Sequence, residues 1–179
     1  MSNRDSAPIY ARAEGTASSV GTSGTEIQMT VPIRGIIKRV QAVRELAGTD
    51  ITIGVDGNCG WDLATASKAL GELERYDLLF AEQPIGTDDP VQLSQLREGT
   101  SIPLRADESV YTLNEAWQLS LARAVDIFSV YPGKNGGLLP AMVVSSLAEA
   151  AGTVCSMGSN LELGIATAAM LHVLSLIHI

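Results

Sequence analysis

Ile53-Gly-Val-Asp56 is a short apolar run that ends on an acid, and the chain repeats the pattern as Leu79-Phe-Ala-Glu82 and Leu104-Arg-Ala-Asp107. Asp56 and Glu82 stand 26 residues apart, and Glu82 and Asp107 stand 25 apart. One strand, one helix and two short loops fill such an interval, which is the repeat of a (β/α) barrel. In that architecture the parallel strands end on one common face, so acids one repeat apart are brought together. Converging carboxylates need a neutralising cation, and oxygen donors suit a hard divalent ion such as Mg²⁺. The spacing predicts a metal-dependent barrel enzyme.

Around these acids the chain alternates strand and helix. Ile27 and Met29 alternate with polar residues as a short strand. Ile33, Ile36, Ile37, Val40, Val43 and Ala47 fall on one helical face, and Gly48 stops that helix. Strands are then predicted at 51–55, 78–81, 102–106, 126–130 and 154–157. Helices follow them from Asp62, Asp89, Thr112, Leu138 and Leu163. The strands are apolar with little alternation, as parallel strands covered on both faces should be. The predicted fold class is α/β, a partial (β/α) TIM-type barrel with parallel strands. A doubly wound open sheet is the rival, but no GxGxxG follows the first strong strand.

At 179 residues the chain is shorter than the roughly 250 of a whole barrel, so it reads as a fragment. Residues 1–26, rich in Ser, Thr, Gly and Ala, read as an irregular or corrupted segment, and 27–173 as the partial barrel domain. Leu174-Ser-Leu-Ile-His-Ile179 is the translation of CTG TCT CTT ATA CAC ATC, which resembles a transposon-end adapter of sequencing libraries. Residues 174–179 are therefore read as an adapter-derived tail. Hydrophobic residues at 46% with only 18% charged describe a packed globular protein and exclude a disordered one. A net charge of −8 argues against nucleic acid or an anionic membrane as partner. Cys59 and Cys155 form no CxxC pair, and no apolar run reaches membrane length, so a reduced, cytoplasmic chain is expected.

Helix capping does not account for the three acids. Asp62 directly precedes its helix, Asp89 precedes Pro90, and Thr112-Leu-Asn-Glu115 is a capping box. With those duties filled, Asp56, Glu82 and Asp107 are the candidate metal ligands.

Longer motifs surround them: Val55-Asp-Gly-Asn58-Cys-Gly-Trp61, Phe80-Ala-Glu-Gln-Pro84, Arg105-Ala-Asp-Glu-Ser109, Lys134-Asn-Gly-Gly137 and Gly158-Ser-Asn-Leu-Glu162. In this order and spacing the set resembles the mandelate racemase/muconate lactonizing enzyme group of the enolase superfamily, over about residues 33–173. The resemblance implies one Mg²⁺ ligand each from Asp56, Glu82 and Asp107, a separate capping domain, and a homo-oligomer at full length. It also implies abstraction of the proton α to the carboxylate of a small-molecule acid, with Mg²⁺ stabilising the enediolate. Racemisation or epimerisation, cycloisomerisation or dehydration would follow. A non-catalytic, metal-binding barrel remnant is the alternative.

The general base is where the sequence departs from that group. The muconate branch carries Lys-x-Lys on the strand before the Asp56 unit, and Ile27-Gln-Met-Thr-Val31 has no lysine. Alignment on Gly136-Gly137 puts Tyr131 where a second catalytic lysine belongs, with Lys134 three residues later. The Asp–His pair of the racemase branch is absent, since the histidines are His172, in an apolar helix, and His178, in the suspect tail. Four readings stand: Tyr131 as base, Lys134 reaching in from its loop, a base on strands this chain lacks, or a frameshift before Asp56. Asn58, Arg105, Glu108 and Glu162 are candidate substrate or supporting contacts. Arg105 shares the inward face with Asp107, while Glu108 points away if the strand continues. Gly136-Gly137 is read as a tight turn or a close approach to a substrate carboxylate.

Overall fold

The computed structural model describes residues 24–28, 33–86 and 89–177. They divide into two compact units, one of residues 24–28, 33–86 and 96–103, the other of 89–95 and 104–177.

In the first unit, strands β1 (Gly24–Gln28), β2 (Thr52–Asp56) and β3 (Leu78–Glu82) pair in parallel and in chain order. Helices α1 (Ile33–Ala47) and α2 (Leu63–Leu73) supply the crossovers, and a 3-10 turn (Glu74–Tyr76) leads into β3. The apolar face of α1 explains its formation: Ile36 and Val40 are wholly buried, as are Ala66, Ala69, Leu70 and Leu73 of α2. Gly48 ends α1 at φ +72, its N–H bonding the Arg44 carbonyl. Arg44 then ties the foot of the unit, donating to the carbonyls of Gly48, Ile51, Tyr76 and Asp77 at 2.6–3.0 Å.

Gly54 in β2 leaves room for Phe80 of β3, since a Cβ there would lie 2.5 Å from the ring. Phe80 is buried at 5% exposure. Gly54→Ala is therefore expected to cost about 1–3 kcal/mol by overpacking, read as a lower denaturation midpoint. An unchanged midpoint would show that the ring moves freely.

The second unit repeats the scheme with β4 (Leu104–Ala106), β5 (Ile127–Val130) and β6 (Val154–Met157), again parallel and in chain order. Asp126 fastens their feet: its N–H bonds the Leu104 carbonyl, its carboxylate accepts the Leu104 N–H, and its carbonyl accepts the Val154 N–H. Helix α4 (Leu113–Leu121) starts at the predicted capping box, with Thr112 and Glu115 bonded reciprocally. Helices α6 (Leu138–Ala151) and α7 (Gly164–Ile177) follow, and α3 (Pro90–Glu98) precedes β4 in the chain. Phe128, Leu104, Ala116, Ala141, Val144 and Ala148 are buried here. Strand–helix alternation with sequential parallel pairing makes the fold class a partial (β/α) barrel.

Three details differ from expectation. β1 starts at Gly24, inside the segment read as irregular, and Met29–Val31 lie outside the described residues. A four-residue helix, α5 (Pro132–Asn135), occupies what reads as loop in the sequence; Pro132 fixes its first φ and Gly136 ends it at φ +86. Helix α7 runs through Leu174 to Ile177, four residues of the suspected tail, while His178 and Ile179 lie outside the description. Along α7, Val173 is buried, Met170 and Leu174 are half-buried, and Ala166 is exposed. No helix of the described residues is long and apolar enough to cross a membrane.

Candidate active site

Asp56 and Glu82 are the last residues of β2 and β3 and are Cα partners in the parallel register. Both are buried, at 9% and 4% exposure. Pairing continues past the strand ends and locks them side by side. Gly57, Cys59 and Trp61 donate their N–H groups to the carbonyls of Glu82, Gln83 and Pro84 at 2.7, 2.9 and 3.1 Å. This close strapping explains the glycine of Asp-Gly-Asn: a Cβ on Gly57 would lie 2.5 Å from Pro84 Cα and 2.8 Å from the Gln83 carbonyl oxygen. Gly57→Ala must push backbone against backbone. It is expected to cost about 2–3 kcal/mol, a loss that urea denaturation would register.

The loop carries strain as well. Asn58, Cys59 and Gln83 all adopt positive φ, at 42°, 59° and 31°. Asn58 donates its backbone N–H to Asp56 Oδ1 at 2.9 Å, fixing one carboxylate oxygen, and its buried Nδ2 finds no acceptor among the described residues. Gln83 is wholly buried and donates from Nε2 to the Ile85 carbonyl at 2.8 Å. Trp61 is buried beneath the loop, and Cys59 is half-buried.

In the second unit Asp107 follows β4 directly and opens a turn whose Val110 N–H bonds the Asp107 carbonyl. Lys134 closes on it from α5. Its Nζ lies 2.7 Å from Asp107 Oδ1, 2.9 Å from the Asp107 carbonyl and 2.6 Å from the Ser129 carbonyl. The Lys134 side chain is only 2% exposed, and its nitrogen stands 5.1 Å and 5.7 Å from the ring centroids of Tyr131 and Tyr111. Asn135 stitches the same two loops together. It accepts the Tyr131 N–H and donates from Nδ2 to the carbonyls of Val110 and Tyr111, at 2.9–3.0 Å. The Lys134-Asn135-Gly-Gly137 motif thus reaches back onto the Asp107 turn, and its two glycines, at φ +86 and +120, make the bend from α5 into α6. That bears out the tight-turn reading of the pair.

Tyr131 caps α5 at the end of β5 and is 5% exposed. Its ring and Ser129 Oγ both face Gly158, where a Cβ would lie within 2.5 Å of either, as strand alternation predicts. The Ser129 hydroxyl is buried without a partner among the described residues. Burial, then the charges of Asp107, Tyr111, Glu162 and Glu108, push the Tyr131 phenol well above the usual tyrosine range. That opposes the ionisation a tyrosine base needs. Lys134 donates toward Asp107 Oδ1 and the carbonyls of Asp107 and Ser129.

Glu162 is bound to its own loop, Oε2 accepting from Ser159 Oγ at 2.7 Å and from the Asn160 N–H at 2.8 Å. Burial raises its carboxyl, but these bonds outweigh it and hold the group below the usual carboxylate range. Its buried Oε1 has no partner among the described residues and lies beside Gly133. Arg105 is buried within β4. β4 stops at Ala106 and residues 108–109 form a turn, so the strand does not continue through Glu108; its charge acts on Tyr131.

The ligand candidates divide two and one between the units, and within neither unit do three His, Cys, Asp or Glu side chains gather among the described residues. The sequence did not expose the Lys134–Asp107 pair, because the two stand 27 positions apart. The signal available was the Lys-Asn dipeptide immediately before a double glycine.

A family model described as "Enolase C-terminal domain-like" matches residues 10–178. N-succinyl-L-Arg/Lys racemase of Bacillus cereus is 34% identical over 164 residues, covering 90% of this chain and 44% of that protein. L-Ala-D/L-Glu epimerase of Bacillus subtilis is 34% identical over 137 residues, covering 74% of this chain and 37% of that protein. The crystal structure of muconate cycloisomerase from Pseudomonas fluorescens superposes with a TM-score of 0.81 at 28% identity, over 84% of this chain and 42% of that one. The chain therefore spans less than half the length of these relatives.

Proposed function

The chain belongs to the enolase C-terminal domain-like family, and from that premise we propose that it is the barrel part of a Mg²⁺-dependent enzyme that removes the proton α to a substrate carboxylate. Its relatives include racemases, epimerases and cycloisomerases. The observation that carries the reading is the in-register pairing of two buried acids at adjacent strand ends, Asp56 with Glu82, under backbone straps that leave no room for a side chain at Gly57.

The donor set fits the ion. Asp56, Glu82 and Asp107 offer only carboxylate oxygens, the preference of a hard divalent cation, and three ligands leave positions for substrate oxygens. When bound, Mg²⁺ supplies the positive charge against which enediolate charge develops. Asn58 fixes Asp56 Oδ1, and the straps between the two loops keep Glu82 beside Asp56. The substrate is a small carboxylic acid. The outcome is racemisation or epimerisation, cycloisomerisation or dehydration, according to where the proton returns or which group leaves.

Tyr131 is proposed as a neutral wall of the site, with the base drawn from outside the group around Asp107. Its phenol is raised by burial and by neighbouring carboxylates, so phenolate forms only in strong alkali. Ultraviolet titration of wild type and Tyr131→Phe should show no difference in phenolate absorbance up to about pH 11, a unit above an ordinary tyrosine. A tyrosine that ionises near neutrality in wild type and is missing from the variant would restore Tyr131 as a base. Incubation with carboxylic acids in D₂O and Mg²⁺ tests the function itself: deuterium should enter at Cα, and chelation should stop it. Metal binding without exchange on any acid would favour a non-catalytic remnant.

A further inference from the structure

Helix α4 turns large apolar side chains to solvent. Leu113, Trp117 and Leu121 recur every four residues along it and are all exposed, Trp117 at 50%, while Ala116 and Leu119 are buried. Helix α6 packs alongside and presents exposed Leu139 and Val143 opposite its buried Ala141, Val144 and Ala148. A surface helix ordinarily carries charge on its outer face. Here Glu115 and Glu149 are the only charged residues of the two helices, and Glu115 is engaged in the capping box. A longer sheet does not account for the bare face. Among the described residues β6 pairs only with β5, so the exposed Ile165 and Leu171 of α7 lie where more of a barrel packs. Helices α4 and α6 instead connect β4 to β5 and β5 to β6, and added strands leave their outer sides open.

We propose that the outer face of α4 and α6 is the interface between two copies of this chain, with Trp117 as its anchor. Area and charge select a second copy. The five exposed side chains leave about 500 Å² open, so two faces pressed together bury on the order of 1,000 Å², enough for a specific interface. Each copy carries a net charge of −8, so two copies repel across most of their surface and meet at least cost where charge is lacking. A two-fold axis sets the patch on itself and closes the assembly at two. A strongly charged partner finds no charge on this face to pair with. Tryptophan is the residue type that most often dominates such contacts, which singles out Trp117. Neither helix holds a candidate metal ligand, so the inference is independent of the metal reading.

Sedimentation velocity of the whole chain, from about 1 to 100 μM, tests the interface. Wild type should run as a dimer at the upper end and dissociate on dilution. Trp117→Glu and Leu121→Glu put a charge into each copy's face, and each should weaken the dimer by about tenfold or more. Ile165→Glu, on α7, should leave it unchanged. Trp61 is buried, so a red shift of tryptophan emission on dilution reports Trp117, and Trp117→Phe should abolish that shift. The shift is read on wild type, so it stands even if a glutamate variant misfolds. A wild type that is monomeric throughout, or that grows into open-ended aggregates, overturns the proposal. So does a dimer that survives both glutamates, one lost in Ile165→Glu, or one that dissociates without the Trp117 shift.

Discussion

Glu82→Gln is expected to reduce α-proton exchange by about 10³-fold, because under the proposed metal reading the change removes an anionic ligand while keeping shape and burial. Glu82 is 4% exposed at the end of β3, beside Asp56, so glutamine fits the same space. The amide still offers an oxygen, but not its charge, so the proposed cation would be held more weakly. Raising Mg²⁺ should recover part of the lost rate. Exchange is followed by proton NMR in D₂O, on this chain and on a longer protein that carries it. An unchanged rate would remove Glu82 from the ligand set.

The largest structural loss is expected at Asn135. Its side chain accepts the Tyr131 N–H and donates to the Val110 and Tyr111 carbonyls, and the residue is 5% exposed. Asn135→Ala strands three backbone groups at once, and water has poor access to replace the bonds. The expected cost is about 2–4 kcal/mol, measured as a shift in urea midpoint. Asn135→Asp should cost a similar amount, since a carboxylate cannot donate to the two carbonyls. Midpoints within about 0.5 kcal/mol of wild type in both variants would mean that solvent reaches these groups.

Much of this architecture was legible because parallel strands and amphipathic helices leave local marks. The Asp62 cap, the Thr112–Glu115 box and the Gly48 stop all occur where the sequence puts them, since each depends on neighbours within four residues. Strand limits moved by one or two residues: the register of β2 with β3 carries Asp56 and Glu82 into the strands, where the apolar run alone stops short. The placement of Lys134 was not legible. A lysine after a strand is equally compatible with a solvent-facing loop, a base or a clamp, and only the fold of α5 back onto the Asp107 turn chooses among them. The orientation of Glu108 was not legible either, because alternation holds only while the strand lasts, and β4 is three residues long.

The proposed function requires Asp56, Glu82 and Asp107 to act together on one hard cation, and stoichiometric metal binding is its most direct test. Isothermal titration of Mg²⁺ into the metal-free chain should give one site, with affinity falling at least about tenfold in each of Asp56→Asn, Glu82→Gln and Asp107→Asn. If wild type binds no Mg²⁺, or if any one of the three substitutions leaves the affinity unchanged, the three acids are not a shared metal site.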